Sequence, residues 1–343
     1  MRRHRWMIVF IAVLALGVGV SGLAGAQQKI VIYAAQDEKT TNEMTRIFTD
    51  ETKIATEVIR VAAAGTLATR IRAEKSAPKA DVFMGGSVEF HEPLAMDGLV
   101  LPYRSPVVEQ ARIDPAYVSP QNSWHGFFVN SLVIILNPER FQKEMGAQGI
   151  PKPQTWDDLL NPAYRKKVIA GNPATCGGAY IFSAAQIFRL GGEEAGFDWL
   201  KKLDAQVLQY TPTCPGTITL VTRGEGAAGI TWADDSIEAM LAKQPLEVIF
   251  PPDTAAEIGG LSIIKGGPNP EGAKKWVDFA LGKRAQALKT ELGFTYPVRS
   301  DVDPPKNVPP LSAIKLGKYD RKFAIENRER LTKKWEAEIG SKR

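Results

Sequence analysis

Cysteine occurs twice and histidine three times in 343 residues. So few ligands give no basis for a zinc cluster, and neither His91 nor His125 has a neighbour at ligand spacing, so both read as structural. Beyond the N-terminus no apolar run reaches the ~20 residues a membrane-spanning helix needs. Internal repeats and low-complexity tracts are absent. G-x-S-x-G, H-E-x-x-H, Walker and dinucleotide fingerprints are absent too, so no motif supports an enzyme. A hydrolase or transferase stays as the competing class, because catalytic triads are defined in space.

The N-terminus is the exception to this restraint. Arg2, Arg3 and Arg5 precede an apolar run over 6–20, and Ala24-Gly25-Ala26 then offers small residues at a cleavage position. This predicts a secretory signal peptide at 1–26 and a periplasmic location; a membrane anchor is the alternative, for which the run is short. No cysteine lies near the cleavage site, which argues against a lipoprotein. Three of the 43 cationic residues and none of the 38 acidic ones fall in this stretch, so the formal charge drops from +5 to +2 on cleavage. The basic balance therefore carries no expectation of nucleic acid. The remaining 317 residues are more than one core usually organises, and two lobes are expected.

The segment 80–101 organises the rest. Ala80-Asp81-Val82-Phe83-Met84 stops at Gly85-Gly86-Ser87, after which Phe90, Leu94 and Leu99 recur at helical spacing: strand, tight turn, helix. Such a turn aims backbone N–H groups outward and favours an anion; a simple helix cap is the alternative. The same design recurs. Lys29-Ile30-Val31-Ile32-Tyr33-Ala34-Ala35 runs into Gln36 and a helix through Met44 and Phe48, then a strand over 56–61, then Ala64-Gly65-Thr66 and a second helix. This is the βαβ signal of a parallel sheet, whose ligands sit beyond the strands' carboxyl ends.

Further on, the apolar run 124–137 is long enough to cross between lobes, and Gly259-Gly260-Leu261-Ser262-Ile263-Ile264 is a plausible return crossing. Between them, 151–160 reads as a loop entering a helix at Thr155. A strand over 166–170 leads to Gly171-Asn172-Pro173-Ala174-Thr175-Cys176-Gly177-Gly178 and a helix. The strand ending at Trp232 runs into Ala233-Asp234-Asp235-Ser236 and another. The Pro-rich stretch 304–310 reads as a linker into basic C-terminal helices.

The order and spacing of these pieces resemble the ferric-iron-type family of bacterial extracellular solute-binding proteins, receptors of ATP-binding-cassette importers. The matching parts are 31–36, Ala64-Gly65-Thr66, Ala80-Asp81-Val82 with Gly85-Gly86-Ser87, and 172–180. Gln209-Tyr210-Thr211, Gly224-Glu225-Gly226, Trp276-Val277-Asp278-Phe279 and 296–302 complete the set, which covers nearly the whole mature chain. The resemblance implies an α/β, two-lobed periplasmic-binding-protein fold of type II, with crossing hinge strands and a ligand cleft between the lobes. Lobe 1 is expected at 27–126 and 258–300, and lobe 2 at 127–257 and 301–343 with the C-terminal helices. It implies a monomer that takes a small-molecule solute to an ABC permease and ATPase complex, without catalysis, cofactor, resident metal or membrane-spanning segment. A periplasmic sensor that presents its solute to a receptor is a further alternative.

The chain departs from the iron-binding members of that family where they carry adjacent tyrosines: no tyrosine occurs from 227 to 241. Ferric iron, which wants several anionic oxygen ligands, therefore ranks second, with Tyr33, Tyr210 and Tyr296 as fallback ligands. The leading reading is a small anionic solute, phosphorylated or phosphonate-bearing. Polyamines, thiamine and carboxylates are cargo of other relatives. The expected ligand-binding set is Ala35, Gln36, Gly65, Thr66, Gly86, Ser87, Asn130, Thr175, Cys176, Gly177, Gly178, Trp232, Asp234, Asp235, Tyr296 and Arg299. Within it, helix N-termini and Arg299 hold the anion, Asp234 or Asp235 an amine or hydroxyls, and Trp232 forms a wall. For the aspartates helix capping is the alternative role, and for Arg299 a surface ion pair. In an oxidising periplasm Cys176 and Cys214 are expected to form a disulfide, two separate buried thiols being the alternative.

Overall fold

The computed structural model describes residues 29–342, so the expected signal peptide at 1–26 lies outside the described residues. Strand β1 (Lys29–Ala35) leads through α1 (Glu38–Thr52) to β2 (Ala55–Arg60), then α2 (Ala64–Ala73), β3 (Val82–Ser87), α3 (Val88–Met96), β4 (Val100–Leu101) and α4 (Pro106–Gln110). Next come β5 (His125–Leu136), α5 (Pro138–Glu144), β6 (Val168–Gly171), α6 (Gly177–Arg189), α7 (Glu193–Asp204), β7 (Val207–Thr211) and α8 (Cys214–Thr222). The chain continues with β8 (Ala228–Trp232), α9 (Ala233–Leu241), β9 (Glu247–Ile249), β10 (Ala256–Ile264), α10 (Pro270–Leu281), α11 (Lys283–Gly293), α12 (Arg321–Glu326) and α13 (Arg328–Glu338).

Strands covered by helices on both faces need apolar residues on both, which is why β1 and β5 read as continuous runs rather than alternating ones. All twelve residues of β5 are buried. The strand order is β2-β1-β3-β10-β5-β8-β6-β7, with β4 beside β10 and β9 beside β5. β1 is parallel to β2 and β3, and β6 is parallel to β7 and β8. The central strands are antiparallel, and β5 is shared: its first half pairs with β10 (Asn130 opposite Glu257) and its second with β8 (Leu132 opposite Trp232). At the changeover Leu132 N donates to Ala255 O at 3.0 Å and Thr254 Oγ1 donates to Leu132 O at 2.7 Å. The fold is thus α/β and two-lobed, with the connecting strands passing side by side.

Each lobe has its own core. Phe48, Phe127 and Trp276 centre one face of the first and Tyr33, Leu67 and Phe83 the other. Trp156, Tyr180 and Phe182 centre the second lobe, with Val133, Ile169 and Val221 behind its sheet. Each such side chain, fully buried, contributes about 1.5–3 kcal/mol. Ala324, Leu331 and Trp335 of the C-terminal helices join the second core, whereas Val308, Leu311 and Ile314 before them pack against the first.

One expected helix is not formed. From Thr155 the chain makes only a short 3-10 turn over Asp157–Leu160: Thr155 and Asp158 cap its start reciprocally, Asp158 Oδ2 accepting from Thr155 N at 2.8 Å and Thr155 Oγ1 from Asp158 N at 3.3 Å, and Asn161-Pro162 stops it after one turn. Trp156 and Leu159 still pack inward. Among the described residues no helix is long and apolar enough to cross a membrane.

Candidate functional site

The strand-to-helix turns of both lobes meet around a chamber of about 380 Å³. In the first lobe β3 enters α3 through Gly85 and Gly86, at φ +82° and +68°, where side chains are strained. A Cβ on Gly85 would sit 2.6 Å from Ala35 O, and one on Gly86 2.3 Å from Ala64 Cβ, so both positions require glycine for this close approach. Behind the turn, His91 Nε2 donates to Gly85 O at 3.0 Å while its Nδ1 accepts from Ser262 Oγ at 2.8 Å. Burial drives the His91 imidazole down to about 4, so it is neutral and structural.

In the second lobe, Cys176 and Cys214 form a disulfide with Cα atoms 5.4 Å apart, tying the N-terminus of α6 to that of α8. Cys214 lines the chamber. A Cβ on Gly178 would lie 2.8 Å from the Trp232 ring, so glycine lets α6 press against that wall.

The helix ends differ in how they are satisfied. α1 and α8 carry side-chain caps from Asp37 and Thr213. The N-termini of α2, α3, α6 and α9, which all reach the chamber, have none. Ser87 stands at the N-cap of α3 but does not cap it, and its buried Oγ has no partner among the described residues. The α9 end is partly answered by its own Asp234, whose Oδ1 accepts from Asp235 N at 2.8 Å. Gln36 donates through Nε2 to Thr41 Oγ1 at 3.0 Å, and among the described residues its buried Oε1 has no partner.

The same chamber is lined by Asp37, Asp234, Asp235 and Glu257, with Lys289 among them. Burial would raise the Asp37 carboxyl, but Lys289 and Thr40 outweigh it and hold the group below its ordinary value. Burial would likewise lower Lys289, and Asp37 and Asp234 outweigh that and raise it. Asp234 is raised by burial against the pull of Lys289. Asp235 and Glu257 are raised well above the ordinary range, first by burial and then by the charge of Asp234. Asn130, beside Asp234 and Glu257, opposes the shift of each. Carboxyls that keep protons can donate as well as accept hydrogen bonds. The chamber therefore combines N–H and hydroxyl donors with carboxyls able to read hydroxyls or an amine.

Of the residues expected from sequence, Ala35, Gln36, Gly86, Ser87, Gly177, Trp232, Asp234 and Asp235 line the chamber together. Gly65, Thr66 and Thr175 line a wider outer cavity of about 960 Å³ beside it. Asn130, Cys176 and Gly178 do not line the chamber themselves; Cys176 is bonded to the lining Cys214, and Gly178 packs on the lining Trp232. Two candidates are not brought to it: Arg299 pairs with Asp301 at 2.8 and 2.9 Å and donates to Leu281 O, and Tyr296 donates its hydroxyl to Pro309 O.

Residues that line the chamber without having been singled out from sequence include Asp37, Phe90, Glu257 and Lys289. A signal existed for Glu257, a carboxylate in an otherwise apolar strand. None existed for Lys289, which sits in a helix that reads as a charged surface one.

The sequence pattern described as bacterial extracellular solute-binding protein matches residues 77–324. An uncharacterized protein of Haemophilus influenzae is 32% identical over 96% of this chain and 95% of its own. The iron uptake protein A1 of Synechocystis is 26% identical over 84% and 81%. A putative 2-aminoethylphosphonate-binding periplasmic protein of Salmonella typhimurium is 27% identical over 70% and 68%. The solved periplasmic binding protein AfuA from Actinobacillus pleuropneumoniae, with fructose 6-phosphate bound, superimposes with a TM-score of 0.83 at 31% identity, over 92% of this chain and 99% of AfuA.

Proposed function

Since the chain belongs to the bacterial extracellular solute-binding protein family, we propose that it captures a small phosphorylated or phosphonate-bearing solute between its lobes. In this reading it works in the periplasm and hands the solute, chemically unchanged, to an ABC permease and its ATPase. The observation that carries the proposal is the convergence of uncapped helix N-termini on one chamber where Ser87 Oγ is buried with no partner among the described residues. Orphan N–H donors with the positive ends of helix dipoles match an oxyanion. The carboxyls of the same chamber suit hydroxyls or an amine at the solute's other end. The fructose 6-phosphate held by AfuA and the aminoethylphosphonate in the name of the Salmonella relative are both of this type.

Ferric iron is the weaker reading. The hydroxyls of Tyr33, Tyr210 and Tyr296 are engaged with Glu74, Asp204 and Pro309 O, and no tyrosine is among the described residues lining the chamber. The lobe limits 27–126 with 258–300, and 127–257 with 301–343, belong to the same proposal. The packing of Val308, Leu311 and Ile314 on the first core favours giving the stretch up to 314 to lobe 1.

The test is a thermal-shift screen of refolded, ligand-stripped protein against fructose 6-phosphate, 2-aminoethylphosphonate, inorganic phosphate and ferric citrate. A ligand at 100 times its Kd adds about 2.7 kcal/mol. Ser87→Ala is expected to keep the ligand-free melting temperature and weaken the phosphorylated solute about tenfold, ~1.4 kcal/mol. A response to ferric citrate alone overturns the proposal, as does recovery of an altered solute.

A further inference from the structure

Phe90 divides the space between the lobes. Its ring lines both the chamber and the outer cavity, and the residue is 3% exposed. It fills the gap between two helix N-termini: a Cβ on Gly65 of α2 would lie 3.1 Å from the ring, and one on Gly177 of α6 2.9 Å from it. Both glycines thus let a first-lobe and a second-lobe helix close on the ring edges.

The face of the ring is held from the C-terminal segment. The Arg328 guanidinium carbon lies 3.7 Å from the Phe90 centroid and 5.1 Å from that of Tyr180. Tyr180 is anchored in turn, its hydroxyl donating to Ala324 O. The neighbours Arg321 and Arg330 pair with Glu89 and Glu193, whereas Arg328 has no carboxylate partner among the described residues. A planar guanidinium stacks on an aromatic face in a way an ammonium cannot. Arg328 also faces only the outer cavity, not the chamber.

On the reading of the chamber as a phosphorylated-solute site, we propose that Phe90 is a specificity-determining residue: it walls the chamber off from the outer cavity and limits the solute to one anionic end. Arg328 is the positioning residue that keeps the ring across the opening. A solute with a second phosphoryl group has to pass the plane of Phe90 to seat that group, and the stacked ring blocks it.

The experiment is calorimetric titration of the whole protein with fructose 6-phosphate and fructose 1,6-bisphosphate. The wild-type protein is expected to prefer the monophosphate by at least 100-fold. Phe90→Ala is expected to cut that ratio at least tenfold, with Phe90→Leu as the variant to use if the alanine form does not fold. Arg328→Ala and Arg328→Lys are both expected to narrow the ratio, since lysine keeps the charge and loses the plane. A folded Phe90 variant with an unchanged ratio overturns the inference. If the wild-type protein binds neither sugar phosphate, the proposed solute class fails and the wall is judged separately. Acrylamide quenching of Trp232 emission, taken as the difference from Trp232→Phe, should then rise at least twofold in the Phe90 variant. Unchanged quenching overturns the wall itself.

Discussion

Lys289 Nζ donates to Asp37 Oδ2 at 2.9 Å across 252 residues of sequence, joining α11 to the N-cap of α1 at the chamber. The lysine side chain is 3% exposed and the aspartate 16%, so the pair is shielded from solvent screening. The same ammonium lies 4.6 Å from the Phe128 ring centroid.

Breaking that pair from one side leaves a buried charge alone. Lys289→Met is expected to destabilise the protein by about 3–5 kcal/mol, and Asp37→Asn with Lys289→Met by much less than the sum of the single changes. Urea denaturation of the four forms of this cycle measures it; strictly additive effects would show that the two groups do not act as a pair.

The acid cluster makes stability depend on pH. Asp235 and Glu257 are raised in the folded protein, so above the ordinary carboxylate range, about pH 4, the folded state holds protons that the unfolded chain has released. Their stabilising contribution is complete below that pH and is lost as pH rises through the raised values. Melting temperatures of the ligand-free protein across pH should therefore fall less steeply in Asp235→Asn or Glu257→Gln than in the wild type. Parallel curves would refute the assignment.

The disulfide closes a loop of 38 residues between two chamber walls. On the chain-entropy estimate its loss costs about 4 kcal/mol. Cys176→Ser with Cys214→Ser is expected to show that loss in denaturant titration and a weaker solute affinity, because α6 and α8 are then free to separate. An unchanged affinity would confine the bridge to a stabilising role.

Much of the first lobe was legible because its signals are local. Gly85-Gly86-Ser87 after an apolar run marks a strand-to-helix turn whatever surrounds it, since only glycine takes those φ values without strain. The same reasoning located Gly177 and Asp234. It failed for Arg299, where the charge that looked available is consumed two residues away by Asp301. At Thr155 the start was legible but the length was not, because Asn161-Pro162 ends the turn after Leu160.

Sequence alone thus determined which segments turn from strand to helix, where backbone donors gather and which two cysteines are available to pair. Those properties follow from backbone sterics and from short-range patterning. Only the tertiary structure decided that Lys289 faces Asp37, that Glu257 joins Asp234 and Asp235, and that Arg328 lies over Phe90. A charged residue in a helix carries no local mark of the partner it will meet. Its environment depends on how lobes far apart in sequence close on each other, and the same burial decides which carboxyls keep their protons.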